Sequence, residues 1–369
     1  MAIKKLKSVA VRAKIQLKNY QEGKSTPIVT GRPWLDDIFG GLLPMEIVTI
    51  AGMSGGGKSF ELQRIKNFVM NKENNPKADN FVWLSNSLEM KFISNIIRDL
   101  NMKLNKSKKK ILTEEFTEEE AKLANDYFDS TTDERFYINE ESVVASQFET
   151  EICAFLELHK DKDAVFIDLD HIALQRDKNG NKKATVDEIV ESVNRMKKMY
   201  PNSYWVILSQ LNRNILERIR DKDIMAMPNR ADVFQSDSMF FISDYLYVCH
   251  NPYRLGINYF SRVNAEAYEY LSEHFIEEKK GKASFDTLGK IFYIILKMRE
   301  GDILYKDIYI EDIEVKDKDK YREPKEDDEV SEFKFVPKPI DRTEGKPIID
   351  VNIFDTPPIG DDDDEDSPF

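Results

Sequence analysis

The chain has 369 residues, 41% of them hydrophobic, enough for one large or two modest domains with a buried core. No apolar run reaches the roughly 18 residues of a membrane helix, the N-terminus lacks the apolar stretch and cleavage site of a signal peptide, and two cysteines, Cys153 and Cys249, suggest neither a disulfide framework nor a zinc site. A cytoplasmic protein without membrane contact is expected. The net charge of −13 is unevenly placed: Glu311 to Phe369 carries 21 acidic and 9 basic residues, and the other 310 residues carry 46 acidic and 45 basic. The acidity belongs to the tail, so the body neither demands nor excludes a nucleic-acid surface, which depends on local basic patches.

In chain order, residues 3–20 hold six basic and no acidic residues, with Ile3, Leu6, Val9, Ala13, Leu17 and Tyr20 near helical spacing. This predicts a basic amphipathic helix whose apolar stripe has no cover of its own, and "EGKSTP" after it reads as a linker, so residues 1–27 form a first segment. From Ile28 to Ile310, strand-like runs ("EIVTIAG", "NFVWLS", "DAVFIDLD", "SYWVILS", "DYLYVCH", "KIFYIILKM") alternate with helical stretches. That alternation predicts an α/β domain on a mostly parallel sheet. Two insertions interrupt it. In "KLNKSKKKILTEEFTEEEAKLANDYF", Thr117 followed by Glu120 is a capping-box start for a helix, and "NAEAYEYLSEHFIEEKKGK" reads as a charged surface helix. Residues 311–369, charged and ending "DDDDEDSPF", read as a disordered acidic tail.

"GMSGGGKS", Gly52 to Ser59, fits G-x-x-x-x-G-K-[ST] between a strand-like run and a helix-like one. Glycines let backbone N–H groups turn inward around phosphate oxygens, Lys58 brings a positive charge to the β and γ phosphates, and Ser59 offers a hydroxyl to Mg²⁺. The expected cradle for a nucleoside triphosphate is Gly52, Ser54, Gly55, Gly56, Gly57, Lys58, Ser59 and Phe60. Hydrolysis also needs a metal-organising carboxylate, a group that orients water and a sensor of the γ phosphate. Asp168 and Asp170 share one face of a strand, and spacing alone does not choose between them. Glu89 in "SLEM" and Gln210 in "SQLNR" end two further strand-like runs, where open α/β sheets place ligands.

"TGRPWLDDIFGGL", the phosphate loop, "SLEM", "DHIALQR", "SQLNR" and "KMREGD" occur in the order of the RecA-like motor domain of DnaB-type replicative DNA helicases, including phage versions, and the chain resembles that family from about Ile28 to Ile310. The resemblance implies a RecA-like P-loop NTPase fold, a mostly parallel twisted sheet flanked by helices, using ATP and Mg²⁺. It aligns Asp170 with the Mg²⁺-associated carboxylate and leaves Asp168 beside it, while Glu89 would activate the attacking water and Gln210 would read the γ phosphate. Lys297 and Arg299 match a basic pair that reaches the neighbouring subunit's nucleotide. The family implies a homo-oligomeric ring, a hexamer, that moves 5′ to 3′ on single-stranded DNA and unwinds forked DNA, in a bacterial host's cytoplasm if the chain is phage-encoded.

Two departures stand out. Where the family's DNA-contacting loop carries arginine and glycine, this sequence has Phe234 and Asp237, leaving Arg213, Arg218, Arg220 and Arg230 as candidate DNA contacts. The family's N-terminal collar has no counterpart in the residues before the motor, which resemble instead the linker helix that packs on a neighbouring motor. The terminal "DDDDEDSPF" is similar to the tip of single-stranded-DNA-binding proteins, an expected contact for a primase, loader or other replisome partner. Rival readings are a recombination or regulatory ATPase that does not separate strands, and a replisome scaffold acting through its tail.

Overall fold

The computed structural model describes residues 6–22, 27–32, 35–37, 40–88, 92–104, 106–131, 133–170, 172, 175, 181–212, 214–220, 227–233, 236–257, 259–261, 284–286, 289–297 and 308–312. Ten strands lie among them: β1 (Ile47–Gly52), β2 (Phe81–Ser87), β3 (Phe136–Asn139), β4 (Ala164–Asp170), β5 (Ser203–Gln210), β6 (Tyr245–His250), β7 (Tyr259–Ser261), β8 (Ser284–Asp286), β9 (Lys290–Lys297) and β10 (Ile308–Asp312). The helices are α1 (Leu6–Gln21), α2 (Lys58–Val69), α3 (Phe92–Lys103), α4 (Lys108–Thr113), α5 (Glu118–Thr131), α6 (Ala145–Leu158), α7 (Lys182–Met199), α8 (Asn214–Arg220) and α9 (Ser236–Ile242).

Eight strands form one sheet in the order β10-β9-β6-β1-β5-β4-β2-β3, and β7 pairs with β8 apart from it. From β6 to β3 every pairing is parallel; β9 runs antiparallel to both β6 and β10. The mostly parallel sheet anticipated from the alternating pattern is therefore present, with an antiparallel pair added at one edge.

The central strands read as continuous apolar runs because helices cover both faces. Alternate residues go to opposite sides. Ile50, Phe166 and Val206 pack with Leu62, Ile65 and Val69 of α2 on one face, while Val165, Ile167 and Ile207 pack with Phe148, Ile152, Ile189 and Val193 of α6 and α7 on the other. In the first insertion the capping box closes as anticipated: Glu120 N–H donates to Thr117 Oγ1 at 3.2 Å and Thr117 N–H to Glu120 Oε2 at 2.9 Å, opening α5. The second insertion and the acidic tip lie outside the described residues.

On α1, Leu6, Val11, Ile15 and Leu17 are all more than half exposed. At the other end, β10 continues through Glu311 and Asp312, past the point where composition alone starts the tail. Glu311 stays in the sheet because two arginines grip its carboxylate, Arg32 from the N-terminal side and Arg64 from α2. Among the described residues no helix is long and apolar enough to cross a membrane.

Candidate active site

β1 ends at Gly52 at the carboxyl edge of the sheet, residues 53–57 turn, and α2 begins at Lys58. Gly55 (φ 75°) and Gly57 (φ 106°) have left-handed backbone, a conformation that costs other residues. Gly52 and Gly56 are small for a different reason: a β-carbon would sit 2.6 Å and 3.0 Å from the Cys249 carbonyl oxygen. Buried Lys58 donates from Nζ to Gly52 O at 2.9 Å and Met53 O at 3.1 Å, so its charge is held within the loop. The N-terminus of α2 adds its partial positive charge at the same place.

Ser59 and Asp170 line one cavity of about 200 Å³ together with Ser85, Ser87 and Asp168. Asp170 is the last residue of β4, in register with Ser87 of β2 and Leu208 of β5. Asp168, one turn of the pleat deeper, is buried and spoken for: its Oδ2 accepts from Trp83 Nε1 and Ser85 Oγ, both at 2.6 Å. Lys66 of α2 donates to that same Ser85 hydroxyl at 2.9 Å. Burial pushes the Asp168 carboxyl up and the Lys66 ammonium down, each opposed by the other's charge. Of the two carboxylates that spacing left open, Asp170 ends its strand on the lining of the cavity that also holds Ser59, and Asp168 sits in a structural network deeper in the sheet. A hydroxyl and one carboxylate next to a phosphate cradle fit Mg²⁺ that takes its remaining ligands from phosphate and water. Among the described residues no group of three or more His, Cys, Asp or Glu could enclose a metal ion.

Gln210, half-buried at the end of β5, stands in register with Gly52. Beyond it, Leu211 bridges to Val233, and the Asn212 side chain donates to the carbonyls of Ala231 and Val233, so the segment after α8 is fastened to the strand that carries Gln210. Two of the four candidate DNA-contacting arginines are described there. Arg218 grips buried Asp232 through two hydrogen bonds of 2.8 and 2.5 Å, which is a structural tie between α8 and the segment. Arg230 stacks over Phe240 at 3.8 Å from the ring centroid. Arg213 and the side chain of Arg220 lie outside the described residues, as do Glu89, Arg299 and Phe234.

Lys297 is at the opposite edge. It ends β9, pairs with Leu246, and donates to the carbonyls of Phe240 and Phe241 at the close of α9. One residue near the loop escaped the sequence reading. Arg254, in the "NPYR" turn after β6, donates to Gly55 O at 3.3 Å and so flanks the phosphate cradle. The signal available was its place just past a strand that neighbours β1, which the sequence order conceals because Arg254 is 199 residues from Gly55.

The DnaB-like helicase C terminal domain family matches residues 27–310. No curated protein matches the chain in sequence. In structure it is similar to the ATPase domain of G40P, with a TM-score of 0.59 and 16% identity over 81% of this chain and 92% of that one. It is also similar to a DnaB-like replicative helicase solved in a study of its interactions with primase, with a TM-score of 0.56 and 16% identity over 81% of this chain and 62% of that one. With the family matched across the phosphate loop, the strand-end carboxylate and Gln210, the chain belongs to the family of DnaB-like helicase C-terminal domains, and its enzymatic activity is that of an ATP-hydrolysing helicase.

Proposed function

We propose that this chain is the motor of a replicative DNA helicase that assembles as a hexameric ring, moves along single-stranded DNA from 5′ to 3′ and separates forked duplexes. The observation that carries the ring is the separation of two charges on one sheet. Lys297 pairs with Leu246, whose partner on β1 is Thr49, three residues short of Gly52. That places Lys297 about 10 Å from the phosphate loop along the strands and about 10 Å across them. A cation so placed serves a nucleotide on another chain better than its own.

In this reading Lys58 and the loop amides hold the triphosphate, Ser59 and Asp170 hold Mg²⁺, Glu89 orients the attacking water, Gln210 senses the γ phosphate, and Lys297 with Arg299 completes a neighbour's site. Mg²⁺, when bound, would neutralise charge on the phosphate oxygens. Gln210 also adjoins the segment fastened through Asn212, which gives nucleotide state a short physical route to the loops that would face DNA. Exposed Leu6 and Leu17, which share one face of α1, belong to the stripe that would pack on an adjacent motor, and the acidic tail is a proposed contact for primase or a loader.

ATP turnover of the purified protein with and without single-stranded DNA, followed by unwinding of a fork, tests this. DNA-stimulated turnover with strand separation is expected. Turnover without separation supports the recombination or regulatory ATPase reading instead, and no turnover supports the scaffold.

A further inference from the structure

The segment "TGRPWLD" lies outside the phosphate loop, yet its Arg32 reaches the helix that leaves that loop. Asp36 organises the turn: its Oδ1 accepts from Thr30 N–H and Thr30 Oγ1, both at 2.8 Å, and its Oδ2 from Gly31 N–H at 3.0 Å. Gly31 (φ 72°) meets α2 so closely that a β-carbon would lie 2.2 Å from Phe68 Cδ2. Arg32 enters the interior at 3% exposure and donates from Nε to Glu61 Oε1 at 2.8 Å. Glu61 is buried two residues after Ser59, on the first turn of α2.

The same guanidinium reaches across to the sheet edge. It donates from both Nη atoms to the Glu311 carboxylate of β10 and lies 5.2 Å from the Tyr293 ring centroid of β9. The single Tyr293 hydroxyl proton lies between two acceptors, Glu311 Oε2 at 2.8 Å and Glu61 Oε2 at 3.2 Å, and Arg64 on α2 grips Glu311 with two bonds of 2.9 and 2.8 Å. Two arginines, two carboxylates and a phenol thus bind the turn at Arg32, α2, β9 and β10 in one network. A buried ionic network is a poor way to gain stability, because desolvation cancels much of the attraction, but its directional bonds fix how elements sit.

We propose that Arg32 is a positioning residue for the phosphate loop: through Glu61 it sets the first turn of α2, and through Glu311 and Tyr293 it ties that turn to β9, the strand that ends in Lys297. Nucleotide occupancy at one chain's loop is thereby linked to the placement of the cation offered to the next, which rests on the reading of Lys297 given above.

The test replaces the network by apolar residues of similar size, Arg32→Met and Arg64→Met with Glu61→Leu, Glu311→Leu and Tyr293→Phe, and follows melting temperature together with KM and kcat for ATP. Wild-type melting with KM raised at least tenfold and reduced kcat is expected. Wild-type melting with both constants within twofold of the parent overturns the proposal. If that variant does not fold, Glu311→Gln takes its place: a KM raised severalfold supports the proposal, and unchanged constants overturn it. Lys297→Ala, measured alongside, keeps the two readings apart. Lost turnover at unchanged ATP affinity upholds the neighbour-site reading. Unchanged turnover removes that reading and the β9 half of the proposal, while KM in the network variants still decides the α2 half.

Discussion

Gln210 closes β5 directly across from Gly52, which closes β1. The two strands are hydrogen-bonded neighbours, so Gln210 stands at the rim of the phosphate loop without belonging to it. Gln210→Ala should therefore spare ATP binding and lower turnover, by about 10²-fold if the amide acts only on the transferring phosphoryl group. Steady-state hydrolysis reads this as a fall in kcat at constant KM.

Two glycines of the loop should fail for different reasons. Gly57→Ala makes only an ordinary van der Waals contact, with Ile291 Cδ1 at 3.5 Å, but must hold a φ of 106°; it should cost about 1–2 kcal/mol of stability. Gly52→Ala adds a β-carbon 2.6 Å from the Cys249 carbonyl, where backbone must move. Thermal melts and ATP binding should show Gly52→Ala as the more damaging of the two, with β6 displaced.

Asp168 and Asp170 should separate on metal titration. Asp170→Asn should raise the Mg²⁺ concentration needed for half-maximal hydrolysis, because Asp170 ends β4 on the lining of the cavity that holds Ser59, whereas Asp168 is committed to Trp83 and Ser85. Asp168→Asn disturbs the bonds from Trp83 and Ser85 instead, so it should lower the melting temperature and leave the Mg²⁺ midpoint near that of the parent.

Glu311 should leave a mark on acid stability. Burial raises its pKa, but the hydrogen bonds from Arg32 and Arg64 pull it the other way, to about 2 from an ordinary 4.5. A carboxyl depressed in the folded state contributes stability that is complete above pH 4.5 and lost as pH falls toward 2. Glu61 is shifted upward by burial, so it acts in the opposite sense and offsets part of this. The melting difference between the parent and Glu311→Gln should therefore be largest above pH 5 and shrink as pH falls from there through about 2.

Arg218 and Arg230 should part company as DNA contacts. Arg218→Ala leaves buried Asp232 without its guanidinium and should cost about 3 kcal/mol, weakening DNA binding only through loss of the folded segment. Arg230→Ala should leave the melting temperature nearly unchanged and reduce the salt dependence of DNA binding, if its charge meets phosphate.

What could be read from sequence followed the strength of local patterns. The strands β1, β2, β4, β5, β6 and β9 were legible as apolar runs because both sheet faces are covered, and the phosphate loop because its glycines and Lys58 answer one local need. "FYIN", the edge strand β3, has only four residues and is partly exposed, so it carries no such run. β10 was hidden by Glu311 and Asp312, which look like the start of an acidic tail until Arg32, 279 residues away in sequence, is seen to bind the first of them. Arg254 was missed likewise, since adjacency of β6 to β1 is a property of the sheet order. Asp168 and Asp170, which a period of two leaves equivalent, differ in their surroundings only once the bonds from Trp83 and Ser85 to Asp168 are seen.

The placement of the phosphate loop and Lys297 at opposite edges has a counting consequence. If each nucleotide needs a loop from one chain and a lysine from the next, a lone chain owns two halves and no whole site. A row of n chains with free ends then holds n − 1 working sites, and joining the ends adds one more. Activity per chain would rise with assembly size and step upward at closure, so the act of encircling a strand would itself switch on a site that the same chains, lined up but open, do not have.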